Sequence, residues 1–503
     1  MSELESSSKR TFLKGSAAVA AAALMPRSTY AADTWDVIVV GGGTAGMPTA
    51  YFAAMRGLKT LLIDKYHKLG GTLDRSGGQI AAAGTKFQKL LGIVDTPDEH
   101  YADILRINKG TGDPALGRLF VDNAAATVDW LFDNGFKAAE GHPVAGSGHE
   151  FFLKRRYQWG SKNGVSIYET MQPLIDQTVS RGKLQVMLNT GVTELLQGAN
   201  GAIQGVKTED ASGTRSELRA KSVVLTSGGS ASNPVMFQDH HGVPLFAKIA
   251  HPMSQGHGLT MGLGVGGYLR GGDKYLCSFG AVLRDRAYPS PIDTGAVLQP
   301  HQRMPWEIFV NASGQRFVRE DHASVDHREK ALLAQPGHRC FVVFDQAILD
   351  KAPPLIPGWP REKLMAAFNQ HAMFTTAPTL SELGARIMVD IGLFEKSVND
   401  YNAAQQTGSD QFGRNHMPLP IAQGPYYAVG VQGFTIKSSA GLAINPSLQV
   451  IRPNGQPIPN LYAAGEVIGG GATSGSSFVN GMMVTPALTF GRLLGSKILM
   501  RNA

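Results

Sequence analysis

Apolar residues along this chain fall into two rhythms, with a change of style between them. Near the front, Val37 to Val40 form a β-branched run that leads straight into Gly41-Gly42-Gly43-Thr44-Ala45-Gly46. An Ala-rich amphipathic segment follows to Gly57, and a second apolar run ends on Asp64. Short apolar runs bounded by turn signals predict buried strands, so this stretch reads as strand, glycine turn, helix, strand. From Pro114 to Phe132, Leu116, Leu119, Phe120, Ala124, Val128, Leu131 and Phe132 recur in steps of three, four and one, the mark of one helix face. Core packing accounts for that face without a function. Leu184 to Leu196 reads as strand and turn, with Val192 after Asn189-Thr190-Gly191. Ile203 to Lys207 and Ser216 to Ala220 read as a hairpin pair, and Lys221 to Leu225 as a strand running into Gly228 and Gly229 beside the first sheet. From about Tyr275 to Phe434 the chain is richer in Pro, Arg and His and loses the strand-helix rhythm. The earlier style returns at Leu461 to Glu466, a strand closing on an acid. A Gly/Ser-rich loop over Gly469 to Ser477 follows, then a helix from about Val484 to Leu499. Pro486 falls in that helix's first turn, where a missing N–H costs little.

The first stretch has the chemistry of a dinucleotide site. Gly41 permits the tight turn, Gly43 lets the backbone approach a pyrophosphate, and Gly46 lets helix and strand pack closely. The helix N-terminus offers free N–H groups and a positive dipole end to phosphates. Asp64 stands about 20 residues beyond the glycines, where an acid accepts hydrogen bonds from ribose hydroxyls. The bland alternative is a plain strand-helix-strand unit, but both flanking strands and the terminal acid are in place. Further glycine clusters come soon after the second strand, at Gly70-Gly71-Thr72 and Ser76-Gly77-Gly78. Small residues there let the backbone pass close to a large flat ligand. The expected fold is α/β: a Rossmann-like dinucleotide-binding domain over 32–274 and 435–503, interrupted by an inserted α+β cap over 275–434 that carries the substrate side.

Composition narrows the class. The 503 residues are 43% hydrophobic with 60 glycines, enough for a large core and more than one domain. Net charge is +7, of which residues 1–31 supply +2 and the remainder +5. No Lys/Arg block tracks phosphates, so a mildly basic soluble enzyme is preferred over nucleic-acid binding. Lys154-Arg155-Arg156-Tyr157 with Trp159 reads either as an anion contact or as a solvated edge. The two cysteines, Cys277 and Cys340, make no disulfide framework, no metal-ligand spacing and no Cys-x-x-Cys-His haem attachment. Residues 1–31 read as an export signal: Ser8-Lys9-Arg10-Thr11-Phe12-Leu13-Lys14, an apolar run from Ser16 to Met25, and a small-residue site near Ala31. The apolar run is shorter than the roughly 20 residues that span a bilayer. The segment resembles a twin-arginine signal with Lys9 at the first arginine, and a general secretory signal is the alternative. A periplasmic or otherwise exported protein is expected, without a transmembrane segment.

Together these motifs resemble the flavoprotein family of fumarate reductases and 3-ketosteroid dehydrogenases. The resemblance is carried by Gly41 to Gly46, Asp64-Lys65, Gly70-Gly71-Thr72, Ser76-Gly77-Gly78, Val224 to Gly229, and Leu461 to Glu466 with the loop after it. Gly256-His257-Gly258 stands where the family usually has Gly-Asp-Gly. The resemblance implies FAD rather than NAD, bound noncovalently. It implies that Glu466 contacts the flavin's ribityl chain and that the last helix starts under the isoalloxazine near Met483 and Val484, where its dipole would stabilise reduced flavin. The implied reaction interconverts a C–C single bond and a C=C double bond next to a carbonyl, by hydride exchange with flavin at the β-carbon and proton transfer at the α-carbon.

The substrate positions depart from both branches. Ser324 stands where the reductases place a catalytic arginine after Arg-Phe-x-x-Glu, here Arg316 to Glu320. Lys437 replaces a histidine, and Phe478 a second arginine. The ketosteroid enzymes' tyrosines at Ser324 and near Ser477 are missing too. A short dicarboxylate would lack bidentate clamps. Gly481 remains, with a backbone N–H that could polarise a carbonyl, beside Phe478 for an apolar ring and Ser477 and Asn480 as donors. Tyr288, His322 and Tyr427 are the proton-transfer candidates, with Arg286 behind them. Each also has a plain structural reading: a loop anchor, a surface charge pair and hinge packing. The favoured expectation is dehydrogenation of a neutral cyclic ketone. The alternatives are reduction of an activated alkene fed by a periplasmic cytochrome or quinone, and a non-catalytic flavin-binding electron carrier.

Overall fold

The computed structural model describes residues 34–499, so the export segment expected over 1–31 lies outside the described residues. The first body is built on β1 (Trp35–Val40), β2 (Thr60–Ile63), β3 (Leu184–Met187), β4 (Thr190–Gln197), β5 (Ile203–Asp210) and β6 (Arg215–Leu225). β1 pairs in parallel with β2 on one side and β6 on the other, Val40 lying opposite both Ile63 and Leu225. β2 continues in parallel to β3. Such strands are covered on both faces, which is why they read as unbroken apolar runs rather than as alternation. One cover is α1 (Gly46–Met55). Another helix, α2 (Pro114–Asp133), begins where Asp113 caps the amides of Ala115 and Leu116 and buries Leu116, Phe120, Ala124, Val128 and Leu131. The expected hairpin is longer than the sequence pattern indicated. β5 pairs antiparallel with β6 from Gly205 opposite Arg219 to Glu209 opposite Arg215, and β4 adds to β5.

The second body has its own core, running from Cys277 to Val431. Its antiparallel sheet comprises β7 (Ser278–Leu283), β8 (Ile292–Gly295), β9 (Ile308–Asn311), β10 (Arg339–Asp345), β11 (Phe374–Ala377) and β12 (Tyr426–Phe434), in the order β8-β7-β12-β10-β9 with β11 also on β12. Between β9 and β10 lies α3 (Val325–Leu333). The chain then returns to the first sheet through β13 (Gln449–Ile451) and β14 (Pro457–Ala463), the latter parallel to β6. It ends in α4 (Val484–Leu493), which continues as a π-helical turn over Leu494–Ile498.

Buried charges are paired where they hold structure. Arg156 reads in the sequence as part of a possible solvated edge. It is instead fully buried, with Nη2 2.6 Å from Asp95 and Nη1 2.6 Å from Asp103. In the second body, Arg316 meets Glu320 at 2.8 Å and Asp410 at 2.6 Å, and Arg414 stands 3.3 Å from Glu320. This cluster anchors the turn that leads into α3. Replacing Arg316 by Met leaves Asp410 without its cation, and we expect a loss of about 3–5 kcal/mol on denaturant unfolding. Lys396→Ala breaks only the exposed pair with Asp400 and should change stability by less than about 1 kcal/mol.

Candidate active site

One continuous cleft enclosing about 2050 Å³, including its open mouth, runs between the two bodies. At one end Gly41, Gly43, Thr44 and Ala45 come from the β1–α1 turn, and Asp64 and Lys65 from the end of β2. Gly71, Thr72, Ser76, Gly77, Val192 and Gly228 line the cleft as well. Glu466, Gly481, Met483 and Val484 line the far half. Gly46, Gly70 and Gly78 do not line the cleft. A Cβ on Gly46 would sit 1.8 Å from the Gly41 carbonyl, on Gly70 2.8 Å from the Tyr168 ring, and on Gly78 2.4 Å from the Gly164 nitrogen. These three are packing glycines behind the wall.

The remaining glycines separate turn from cradle. Gly41 has φ +103° and would place a Cβ 2.7 Å from Ser227 Cα, so the turn itself demands glycine. Gly43 is different: its nearest neighbour to a Cβ is Gly71 Cα at 3.8 Å, ordinary contact. Nothing in the protein forbids a side chain there, but a ligand lying on that backbone would. Asp64 Oδ2 accepts from Gly42 N at 2.6 Å and Oδ1 from Tyr66 N at 2.7 Å, which aims the carboxylate along the cleft. Burial raises its pKa in spite of these bonds. Glu466 Oε1 accepts from Ser438 N at 2.8 Å and Oγ at 3.0 Å, and burial likewise raises its pKa. The dinucleotide cradle, two oriented acids and a helix N-terminus at the far half all fit FAD.

Past Gly481 the cleft meets the second body. The Gly481 N–H has no hydrogen-bond partner among the described residues, while its carbonyl accepts from Thr485 Oγ1 at 2.9 Å. Phe478 is held between two groups: the His149 ring stacks on it at 3.9 Å, and Lys437 Nζ lies 5.3 Å from its centroid. Lys330 Nζ donates to Ser477 Oγ at 3.0 Å. Asp326 accepts from His149 Nδ1 at 2.6 Å and from the Phe478 amide at 3.3 Å. Glu329, one helical turn beyond Asp326 on α3, is 2% exposed, lines the cleft, and has no hydrogen bond or ion pair among the described residues. Burial pushes its pKa well above the ordinary carboxylate value, the Asp326 charge adds to this, and Lys437 opposes it. Lys437 is lowered by burial, against the pull of Glu466, Glu329 and Asp326.

Of the four expected catalytic positions, only Gly481 lines this cleft. Tyr427 is buried in β12, its hydroxyl 2.7 Å from Gln346 Oε1 and its ring against Phe344 and Phe368. Tyr288 packs on Phe246 and donates to Gln432 Oε1 at 3.4 Å. His322 stacks on His327, and its Nδ1 accepts from the Ser324 amide. All three are occupied in packing outside the cleft, and Arg286 is exposed, donating to Ala372 O. Asn480, expected as a substrate donor, gives its Nδ2 to Glu150 O at 3.0 Å. Sequence reading missed Glu329, Lys330, Asp326 and His149.

The fold and cleft define a flavoprotein, and the chain belongs to the FAD binding domain family, whose model spans residues 36–477. Residues 6–26 match the twin-arginine translocation signal, so the chain carries an export signal; no helix among the described residues is long and apolar enough to cross a membrane. The fumarate reductase (cytochrome) of Shewanella frigidimarina is 28% identical over 471 residues, 92% of this chain and 77% of that protein. The urocanate reductase of Eggerthella lenta is 28% identical over 472 residues, 92% of this chain and 74% of that protein. The 3-ketosteroid Δ1-dehydrogenase of Sterolibacterium denitrificans shares the fold, with a TM-score of 0.72 at 20% identity over 93% of this chain and 100% of that one. This chain is an FAD-dependent oxidoreductase acting on C–C and C=C bonds.

The glycine geometry separates cofactor binding from folding. Gly43→Ala should melt with the wild-type apoprotein, within about 1 kcal/mol, yet lose tenfold or more in FAD affinity by flavin absorbance after gel filtration. Gly46→Ala should lower the melting temperature of the apoprotein itself.

Proposed function

We propose that this enzyme acts on a neutral, ring-sized enone or ketone, that reduction of the C=C bond is the favoured direction, and that Glu329 transfers the α-proton. The observation that carries this reading is Glu329: a carboxyl buried in the cleft wall, unpartnered, with a raised pKa. Burial favours the protonated form of this carboxyl, which can donate a proton but not accept one, and this favours reduction over the dehydrogenation expected from sequence. Bound FAD supplies the hydride exchange. The chain's own residues orient and polarise the substrate. The free Gly481 N–H and the Lys437 ammonium stand at the same end of the cleft as candidate donors to a carbonyl oxygen, where negative charge grows as the double bond is attacked.

The charge of the pocket supports a neutral substrate. Among the described residues no arginine lines the cleft. Ser324 stands at the start of α3 and does not line the cleft, and Phe478 is packed by His149. A dicarboxylate finds no bidentate clamp there. We further propose that a separate periplasmic cytochrome or quinol feeds the flavin, since the two cysteines lie singly and buried and offer no haem attachment.

The test is anaerobic flavin absorbance. Cyclohex-2-enone or benzylideneacetone should reoxidise the dithionite-reduced enzyme faster than fumarate does; the reverse order would overturn the neutral-pocket reading. The reoxidation rate should fall as pH rises through the elevated pKa of Glu329, because the donor must carry its proton. Glu329→Gln should slow it by about 10²-fold or more.

A further inference from the structure

Each reductive turnover takes one proton from Glu329, and the buried carboxylate left behind must recover it before the next. Resting on the reading of Glu329 as the donor, we propose that Asp326 and His149 form a proton relay that reloads Glu329 from solvent. Asp326 and Glu329 sit one helical turn apart on α3, and His149 reaches them from the loop of the first body. The facing atoms of all three lie within 4.8 Å of one another. His149 Nδ1 is 2.6 Å from Asp326 Oδ1. Its Nε2 has no hydrogen bond among the described residues, and 15% of the side chain is exposed. The line therefore runs from a solvent-touching imidazole, through a carboxylate, to an unpartnered acid in the cleft wall.

The transfer balances as one proton moved from water to Glu329. A proton entering at His149 Nε2 makes the ring an imidazolium. Its Nδ1 proton passes to Asp326, and from Asp326 to the Glu329 carboxylate, whose facing atoms lie within 4.8 Å of each other. The ring resets its tautomer by exchange with solvent. No electrons move in these steps, and the hydride that completes the reduction comes from the flavin. Arg328 and Lys330 on α3, Lys437 from the opposite wall, and Tyr275 and Cys277 on the approach to β7 surround Glu329. The same three groups have the spacing of a cation site, but the lysine ammoniums and the guanidinium already supply positive charge there, which disfavours a divalent metal.

Asp326 and His149 are positioning and relay residues, so their loss differs from that of Glu329. In FAD-loaded enzyme assayed with benzylideneacetone and a reduced viologen dye, His149→Ala and Asp326→Asn should slow steady-state turnover by a larger factor than they slow the first reoxidation of pre-reduced flavin. Steady-state turnover should fall about tenfold, less than the loss of a general acid. Imidazole should restore turnover to His149→Ala but not to Asp326→Asn. His149→Gln, which keeps a hydrogen bond but cannot carry the proton, should behave like His149→Ala. By infrared spectroscopy, the protonated-carboxyl band that Glu329→Gln removes should recover more slowly after one turnover in His149→Ala. Equal steady-state rates for His149→Gln and wild type would overturn the relay, as would inactivation of the wild type by EDTA. Undiminished first-turnover rates in Glu329→Gln would instead overturn the assignment of Glu329, leaving the two failures distinguishable.

Discussion

Backbone meeting backbone around α1 is the constraint on which the cleft depends. A Cβ at Gly46 would collide with the Gly41 carbonyl, and one at Gly41 with Ser227 Cα. On the other side of the same helix, Gly491 and Gly495 of the C-terminal segment would place Cβ atoms 2.3 Å from the Ala45 carbonyl and 2.5 Å from that of Thr49. Segments hundreds of residues apart are thus locked at distances only glycine allows. The consequence reaches the far half of the cleft. With α4 seated on α1, its first turn is fixed beside Gly481 to Val484, and Thr485 Oγ1 ties it to the Ala81 amide at 2.9 Å. The phosphate end and the flavin end of the cleft are therefore set by one rigid unit.

Charge is distributed differently behind the cleft and in it. Arg156, Arg316 and Arg414 are buried and each reaches carboxylates or carbonyls, the arrangement that makes a buried cation tolerable. Around α3 that rule lapses. Arg328 gives Nη1 to the His322 carbonyl but leaves Nε and Nη2 without partners, and burial lowers its pKa to about 10. Glu329 beside it has no partner either. Buried polar groups left unsatisfied are rare in a folded chain, and Arg328 holds two of those found among the described residues, where the second body closes on the cleft. Asp326 makes that closure, accepting from His149 and Phe478 of the first body at once.

What could be read in the sequence were the features whose cause is local. Glycine spacing, β-branched runs and capping residues act within a few positions, so the β1–α1–β2 unit, the 114–132 helix face and the final helix were legible. Asp64 was legible because it directly follows a strand, and Glu466 because it stands in the turn just after one. Glu329 was not, because Val325 to Leu333 reads VDHREKALL, the composition of any solvated helix. Only the tertiary fold decides that Asp326, Arg328 and Glu329 turn inward while His327 stays exposed. The same limit misplaced the tyrosines. Tyr427 sits in a sequence that reads as a hinge after Gly424-Pro425, yet β10 and β11 flank it and make it core. Arg156 failed in the opposite direction, because its two acid partners lie 53 and 61 residues away.

A cleft that no arginine lines among the described residues has a physical logic of its own. An arginine remains charged at any working pH, so a pocket lined by arginines keeps a fixed positive potential and selects anions. Lys437 and Glu329 can compensate one another instead. Burial lowers the lysine and raises the carboxyl, moving both toward their neutral forms, while their mutual attraction pulls each back. The charge of this pair can therefore adjust to what enters the cleft, where that of a guanidinium cannot. A neutral carbonyl compound can enter such a pocket without displacing a counter-ion, and it meets donors only where its oxygen must be polarised. Under the proposed reading, the acid that supplies the α-proton need not be the group that binds the substrate, which frees substrate size and charge to follow the apolar wall around Phe478.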